Sequence, residues 1–380
     1  MGSTNDIDLV TQVHQTCEHL VLNSSEQIEV NDEAIDQFLD QLDIARFQKL
    51  STGWITFPLK FDTVEDEVNL VAILDLLNFG SGYRQELHAA CDRGAAQTII
   101  YGCMGLHISQ TPVDAQGLQK LTLGDVSGYF GIPLLGTEEA HPSLPGVTIS
   151  QPSVLRNFAE ALTKVLNETG EILQAKGYRS LGHFILDVTT SPSDAAPDWR
   201  PSAVELVDRL ARTFPAFQDY RVKEGTSVYI LKKAQLLAGD LHGRFQDPTS
   251  PAYVHFNFDD VDQLSVFSDN VLPTVLLHLG VLKLRDNTLQ HKLDKLEPVS
   301  DTECWLLRAA AVYASDCLVN RCRARIDAVD ETTDSNVAER ANQLASLFNA
   351  VALDHYLWHI GKDPEIRKLP RLVYQDTVYF

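Results

Sequence analysis

The feature that most constrains the fold is a helical spacing of apolar residues. Between residues 31 and 42, Asn31 or Asp32 can cap a helix whose apolar face carries Ile35, Phe38 and Leu39. The same spacing, or a nearly continuous apolar run, predicts further helices over 65–79, 83–93, 154–176, 300–325 and 336–360. The pattern favours a mainly α protein.

Strand-like segments are few and short. The β-branched and aromatic residues of 97–101 (QTIIY) and 226–231 (TSVYIL) predict two strands, which could form one small sheet. Pro, Ser and Asp in 189–202 predict an exposed loop, and 136–145 predicts a second loop. Because no internal repeat is present, we expect a single mainly helical domain with at most a small local β element.

The charge balance limits the classes of partner. The sequence has 31 basic and 52 acidic residues, a formal net charge of −21. A protein that grips a nucleic-acid polymer normally presents a basic surface to its phosphates, and no basic run occurs here. Any nucleotide ligand is therefore expected to be a small molecule, and no direct contact with polymeric nucleic acid is expected.

The cysteines and the amino-terminal sequence bear on the compartment. No CxxC pair and no basic region followed by an apolar core is present, so neither a zinc finger, a disulfide framework nor a signal peptide is expected. No apolar run is long enough to span a bilayer. These features favour a reducing, aqueous compartment, the cytoplasm or the nucleus. The six cysteines stand at 17, 91, 103, 304, 317 and 322.

The segment VFSDNVLPTVLLHLG (266–280) contains one carboxylate, Asp269, between apolar residues and a predicted helix over 272–282. Asp before a helix commonly accepts backbone N–H bonds, so a capping role is one interpretation. The alternative is a carboxylate held beside Phe267 for a sugar whose anomeric carbon becomes cationic. Both roles are compatible with the sequence.

A second candidate segment is LDHYLWHIGKD (353–363). His355 and His359 share a helical face at a spacing that can bind zinc, but no intervening Glu and no third ligand are evident, so no metal is expected. Asp354, near Trp358, could accept two parallel hydrogen bonds from a purine-like edge. A packed or polar helix face is the structural alternative.

Two further segments carry polar residues at helical positions. Lys232 and Lys233 begin the helix that contains Asp240, so they are either solvated lysines or a phosphate-binding pair. Asp75 and Asn78 lie among apolar residues, where a core hydrogen bond or a ligand contact would satisfy them. No Walker A, GxGxxG or GxSxG sequence occurs, which argues against triphosphatase, dehydrogenase and hydrolase-elbow classes.

Six segments, taken in order, resemble one family, the queuosine salvage proteins. The resemblance runs from about residue 65 to the end of the chain, and it depends on the shared order of motifs that are individually weak. It implies residues 61–380 as the family domain and 1–60 as a helical segment that packs on it. The motifs are LDLLNFGSGYR (74–84), NETGEIL (167–173), FPAFQDY (214–220), LKKAQLLAGD (231–240), VFSDNVLPTVLLHLG (266–280) and LDHYLWHIG (353–361).

The resemblance implies a helical fold related to helix-hairpin-helix DNA glycosylases and an enzyme that needs no cofactor. The implied reaction is hydrolysis of queuosine 5′-monophosphate, which releases queuine for salvage into tRNA. The family's acid corresponds to Asp269, as nucleophile or oxocarbenium stabiliser. The residues implied in substrate binding are Phe267, Ser268, Asp354, His355, Trp358, His359, Asp240, Lys233, Asp75 and Asn78.

This sequence departs from the family pattern at two base-binding positions. His355 stands where the family has an aromatic residue, and His359 stands where an acid is expected. Candidates for phosphate binding are Lys232, Lys233 and Arg84.

The competing interpretations are a non-catalytic nucleic-acid or partner-binding protein on the same scaffold and a DNA glycosylase. The oligomeric state is not indicated.

Overall fold

The computed structural model describes residues 7–52, 59–193, 196, 198–223, 226–330 and 334–380. Helix accounts for 61% and strand for 7%, so the mainly α fold class is confirmed. The helices are α1 (Leu9–Asn23), α2 (Asp32–Gln41), α3 (Ile44–Ser51), α4 (Val64–Leu76), α5 (Arg84–Cys91), α6 (Ala95–Ile108), α7 (Ala115–Lys120), α8 (Leu123–Phe130), α9 (Leu155–Lys176), α10 (Leu181–Val188), α11 (Ala203–Thr213), α12 (Lys232–Arg244), α13 (Tyr253–Phe256), α14 (Val271–His278), α15 (Asn287–Lys295), α16 (Asp301–Asp327), α17 (Ser335–Ala345), α18 (Ala350–Ile360) and α19 (Pro364–Arg367).

Six short strands form three two-stranded antiparallel sheets in the described residues. The first pairs β1 (Ile28–Val30) with β6 (Leu282–Leu284), with Val30 opposite Leu282, and the third is the hairpin of β4 (Tyr220–Lys223) and β5 (Thr226–Tyr229), with Tyr220 opposite Tyr229. The predicted strand over 226–231 is therefore confirmed as β5. The strands are β1 (Ile28–Val30), β2 (Leu135–Ala140), β3 (Thr148–Pro152), β4 (Tyr220–Lys223), β5 (Thr226–Tyr229) and β6 (Leu282–Leu284).

The chain divides into two compact units. The first comprises Met1–Pro58, Ser191–Arg212 and Gln218–Tyr374, and the second comprises Leu59–Thr190, Thr213–Phe217 and Gln375–Phe380. The predicted packing of residues 1–60 as a separate segment on a main domain stays a prediction. No helix in the described ranges is both long and apolar enough to cross a membrane.

The first unit is organised around α16, which packs against α1, α2, α14, α17 and α18. A capping box starts this helix, because Ser300 and Glu303 each accept a backbone N–H of the other. Residues on all sides of its first half are buried, among them the charged Arg308. A helix buried all round is typical of the centre of a core, and α16 therefore fixes the position of its neighbours.

The second unit packs α4 against α6 and α10, and α9 against α7 and α8. Gly170 lies inside α9, where a side chain would meet the Ala115 carbonyl oxygen at 2.6 Å. The absence of a side chain thus permits the close approach of α7, which outweighs the unfavourable helix propensity of glycine. The β2–β3 hairpin of this unit is almost entirely exposed.

Three predictions about secondary structure are wrong, and the predicted helix over 272–282 ends early, since α14 ends at His278 and Leu282 begins β6. Residues 97–101 belong to helix α6, because Ile99, Cys103 and Leu106 are buried at helical spacing and tertiary packing overrides β propensity. The predicted loop 136–145 begins with strand β2. The predicted helix over 336–360 is two helices, α17 and α18.

The predicted loop over 189–202 connects α10 to α11, and residues 194, 195 and 197 lie outside the described residues. The other predicted helices, over 31–42, 65–79, 83–93, 154–176 and 300–325, correspond to α2, α4, α5, α9 and α16. These are the segments in which apolar spacing and capping signals agree.

Candidate functional site

The centre of the candidate site is the loop 264–270, which leads into α14 in the first unit. Phe267 and Ser268 are buried, whereas Asp269 is half-buried. A carboxylate in that position keeps part of its hydration, while packing fixes the backbone on its amino-terminal side. The loop therefore presents one acid at the edge of an apolar core.

The two oxygens of Asp269 differ in their surroundings. Oδ1 accepts the N–H of Val271 at 2.6 Å, and Asn270 occupies the N-cap position of α14. Among the described residues, Oδ2 accepts no hydrogen bond. The prediction of Asp269 as the N-cap is therefore wrong by one residue, although Asp269 does accept the N–H of the first residue of α14 through one oxygen. The other oxygen is available to a ligand.

Helix α18 holds the same loop from another side. The N–H of Phe267 donates to Oδ1 of Asp354 at 2.7 Å, in a fully buried bond. The His355 ring meets the Phe267 ring edge-on, with 6.4 Å between centroids and an interplanar angle of 89°. The structure thus brings together the predicted residues of the loop and the first two polar residues of α18.

The acidity of Asp354 follows from this position. Burial is the main cause that raises the pKa of Asp354 from 3.8 to about 8. The hydrogen bond from the Phe267 N–H and the charge of Lys232 lower this pKa, whereas the carboxylates of Asp269 and Asp240 raise it further. The Asp354 carboxyl group is therefore largely protonated at pH 7. A protonated carboxyl can donate a hydrogen bond as well as accept one.

Helix α12 is buried at its amino-terminal end. Lys232 is 4% exposed and Lys233 is 0% exposed, so the interpretation of these residues as solvated lysines is wrong. Helix α12 also packs on the loop, because the side chain of Gln235 donates to Ser265 Oγ at 2.9 Å and accepts the Ser265 N–H at 2.8 Å. Burial also raises the pKa of Asp240, although Lys232 and Arg244 oppose it. A phosphate role for Lys233 stays a prediction.

Two further side chains of α18, Trp358 and His359, are half-buried. Nδ1 of His359 lies 2.7 Å from the carbonyl oxygen of His355, which can only accept, so Nδ1 carries the proton. Burial lowers the pKa of His355 to about 4, and the neighbouring His359 lowers it by a smaller amount. Burial also lowers the pKa of His359. The ammonium of Lys362 lies 3.2 Å from the Trp358 ring centroid, a cation–π contact that the sequence reasoning missed.

The predicted residues Asp75 and Asn78 belong to the second unit. Asp75 is 0% exposed near the end of α4, and Asn78 is half-buried just beyond it. Burial, and secondly the Asp75 carboxylate, raise the pKa of the Cys103 thiol within that unit. Substrate contacts of Asp75 and Asn78 stay predictions.

Sequence reasoning missed a deeply buried ion pair beside the loop. Arg308 and Asp219 form a two-pronged pair, with Nη1 to Oδ1 at 2.9 Å and Nη2 to Oδ2 at 2.6 Å, and both side chains are at most 1% exposed. Nε of Arg308 donates to the carbonyl oxygen of Ser268 at 3.0 Å. The sequence does mark each residue separately, since Arg308 interrupts the apolar run of α16 and Asp219 lies in the motif FPAFQDY.

A glycine in α12 sets the position of Phe267. A side chain at Gly239 would meet Cζ of the Phe267 ring at 3.0 Å and Cγ1 of Val351 at 3.6 Å. The ring of Phe267 is itself 3% exposed, so it has little room to move. A side chain at residue 239 would therefore press on the Phe267 ring where α12 meets the loop.

Gly239→Val is expected to destabilise the protein by about 1–3 kcal/mol, because the added methyl groups overpack the Phe267 contact. Gly128→Val is the matched control, since Gly128 is also helical and has nothing within 4 Å of an added Cβ. The free energy of unfolding in urea measures both. Equal effects of the two substitutions would show that the Phe267 contact is not tight.

Asp354→Asn is expected to gain stability relative to wild type as the pH rises from 5 to 9. A carboxyl whose pKa is higher in the folded protein contributes stability that is present at low pH and is lost as pH rises towards the folded value, here about 8. Asn keeps an acceptor for the Phe267 N–H and carries no charge. Urea unfolding at pH 5, 7 and 9 should show a growing advantage, at least about 1 kcal/mol at pH 9.

The exposed Glu171 provides the control for this experiment, because Glu171→Gln removes a carboxylate that lies in solvent. Its stability difference from wild type is expected to stay constant over the same pH range. If Asp354→Asn behaves in the same way as Glu171→Gln, the carboxyl of Asp354 is ionised at neutral pH in the folded protein.

A cleft of about 500 Å³ in the first unit has a different lining, which includes His14, Asp316 and Gln263 and none of the predicted site residues. Nδ1 of His14 lies 2.7 Å from the Asp316 carboxylate and Nε2 lies 3.0 Å from the Gln263 carbonyl. Because a carboxylate and a carbonyl oxygen both accept, the two contacts favour the charged imidazolium form of His14. Burial lowers its pKa, but the Asp316 bond and charge and the Gln263 bond give a net rise.

The comparison with protein families identifies the class of protein. The family model of the queuosine salvage protein matches residues 151–379, which is more than half of the chain and includes the loop 264–270 and helices α12, α14, α16 and α18. The chain belongs to the queuosine salvage protein family. The resemblance that the ordered sequence motifs indicated is thereby confirmed.

Several curated relatives bear the name queuosine 5′-phosphate N-glycosylase/hydrolase. One, from Sphaerobacter thermophilus, is 34% identical over 169 residues, which cover 44% of this chain and 47% of that protein. The Bos taurus relative is 25% identical over 303 residues, 79% of this chain and 77% of that protein. The Dictyostelium discoideum relative is 25% identical over 304 residues, which cover 76% of this chain and 80% of that protein. The alignment thus spans about half the length of the first relative.

Proposed function

We propose that this chain hydrolyses the N-glycosidic bond of queuosine 5′-monophosphate and releases queuine, with Asp269 as the catalytic residue. Family membership and the names of the relatives support the reaction. The observation that carries the proposal is Asp269 itself, a half-buried carboxylate with one oxygen engaged by Val271 and the other available. The relation to helix-hairpin-helix glycosylases belongs to the same proposal.

Breaking this bond builds positive charge on the ribose ring. A fixed carboxylate beside the ring stabilises that charge without reorganising, because the hydrogen bond from Val271 and the buried backbone before it hold it in place. Asp269 either forms a covalent bond to the anomeric carbon or stabilises the oxocarbenium-like state, and water completes hydrolysis in both cases. The products are queuine and ribose 5-phosphate.

The departing base requires stabilisation of a different kind. Queuine is a 7-deazaguanine, so it has no N7 to accept a proton as it leaves. We assign this role to the groups on α18: the protonated Asp354 can donate a hydrogen bond, and the neutral rings of His355 and His359 offer further polar contacts. The half-buried Trp358 supplies flat apolar surface near them.

The test is to incubate the purified protein with queuosine 5′-monophosphate and to follow free queuine and ribose 5-phosphate by chromatography with mass detection. We expect both products in equal amounts, and none with protein denatured beforehand. If the native protein releases no queuine, the proposed reaction is wrong. A protein that binds the nucleotide without releasing the base would instead favour a non-catalytic binding function on the same scaffold.

A further inference from the structure

Arg308 is the largest fully buried side chain of the first unit, at 1% exposure in the first half of α16. Its guanidinium directs Nη1 and Nη2 to the two oxygens of Asp219, and its Nε to the carbonyl oxygen of Ser268. A planar guanidinium makes all three bonds in one fixed geometry, which an ammonium group cannot reproduce. Arg308 therefore fixes the direction of one peptide group in the loop.

That peptide group directly precedes Asp269. Ser268 is bound twice by Arg308, because the hydroxyl of Ser268 also donates to the carbonyl oxygen of Arg308 at 2.9 Å. The preceding residue, Phe267, is held through its N–H by Asp354. Rotation of the backbone before Asp269 would break at least three buried hydrogen bonds, each of which contributes about 0.5–1.5 kcal/mol.

The orientation of Arg308 depends in turn on Asp219. Besides the guanidinium, Oδ2 of Asp219 accepts the N–H of Lys232 at 3.0 Å, which is the first residue of α12. Burial alone would lower the pKa of Arg308, but the charge and hydrogen bonds of Asp219 give a net rise, with a smaller effect of Asp269. The loop and the first residue of α12 are thus both bound to the same buried ion pair, Arg308–Asp219.

We propose that Arg308, oriented by Asp219, is a positioning residue that sets where the Asp269 carboxylate meets the ribose. The inference rests on the proposed function. Arg308 acts through the Ser268 peptide group, so its loss misplaces the carboxylate and leaves the nucleotide-binding surfaces of α18 in place. Small misplacements of a reacting group cost up to about a hundredfold in rate, while binding is largely retained.

Arg308→Lys tests the positioning role, since lysine keeps the positive charge and loses the planar fork. For release of queuine we expect kcat to fall about 10- to 100-fold with KM within about threefold of wild type. Arg325→Lys is the matched control, because Arg325 lies on the same helix and pairs with Asp36 and Asp40 at the surface. It is expected to retain the wild-type kcat and KM. A folded Arg308→Lys protein with wild-type kcat, or with a change in KM alone, overturns the proposal.

Ser268→Ala decides the question if Arg308→Lys does not fold, as judged by circular dichroism. It removes one of the two bonds between residues 268 and 308, and a severalfold lower kcat at unchanged KM supports the role, whereas wild-type kcat contradicts it. If wild type releases no queuine, the proposed function fails and hydrogen–deuterium exchange decides the positioning separately. Faster exchange at 266–271 in Arg308→Lys but not in Arg325→Lys supports it, and equal exchange in both overturns it.

Discussion

Asp269→Asn is expected to lower the kcat of queuine release by about a hundredfold or more. The amide keeps an oxygen that accepts the Val271 N–H, so the start of α14 should be retained while the negative charge is lost. Because that charge acts only when the ribose becomes cationic, KM is expected to change by less than about threefold. Steady-state release of queuine, measured by chromatography with mass detection, gives both constants, and a thermal melt verifies the fold.

Asp286→Asn is the matched control for this substitution. Asp286 likewise accepts the N–H two residues on, from Thr288 at 2.8 Å, but it is the N-cap of α15 and lies outside the candidate site. We expect wild-type kinetics from Asp286→Asn. A similar fall in both variants would point to a capping effect, and retention of activity in Asp269→Asn would exclude Asp269 as the catalytic residue.

A burst of queuine in the first turnover would separate the two chemical roles of Asp269. If the carboxylate forms a covalent ribosyl intermediate that breaks down slowly, the base leaves faster in the first turnover than in later ones. If it only stabilises charge, hydrolysis completes each turnover and no burst from deglycosylation occurs. Rapid quenching with enzyme concentrations comparable to the substrate concentration measures this.

Helix positions could be predicted where apolar spacing and caps agree, as in α2 and α16. The break between α17 and α18 also had a readable signal, because the Asn349 side chain accepts the Ala352 N–H at 2.9 Å and so starts a new helix. The strand predicted at 97–101 could not have been corrected locally. Its helical state depends on packing such as that of Gly102 against the Phe130 ring.

The candidate site was predicted in part for the same physical reason. Asp269, Phe267 and Asp354 lie in short motifs, so a single sequence can point to them. The ion pair between Asp219 and Arg308 joins residues 89 positions apart, and no periodicity reveals such a contact. Burial of Lys232 likewise depends on which elements cover α12, and chain composition gives no indication of it.

Asp219→Ala is expected to destabilise the protein by about 3–5 kcal/mol, because it leaves the guanidinium of Arg308 buried without its counter-charge. It also removes the acceptor for the Lys232 N–H. Urea unfolding followed by circular dichroism gives the free energy. The control is Asp36→Ala, which removes the partner of Arg321 and Arg325 at the surface, where ion pairs contribute little.

Removing both charges separates the cost of an unpaired cation from the value of the pair itself. In the Asp219→Ala background, Arg308→Met replaces the guanidinium by an apolar side chain and is expected to restore part of the lost stability, since no buried charge then remains. It should not restore the rate of queuine release, because Met cannot donate to the Ser268 carbonyl. If the double variant is less stable than Asp219→Ala alone, then loss of Asp219 does not leave the guanidinium as a destabilising unpaired charge. The ion pair of Arg308 and Asp219 is then not what holds the loop.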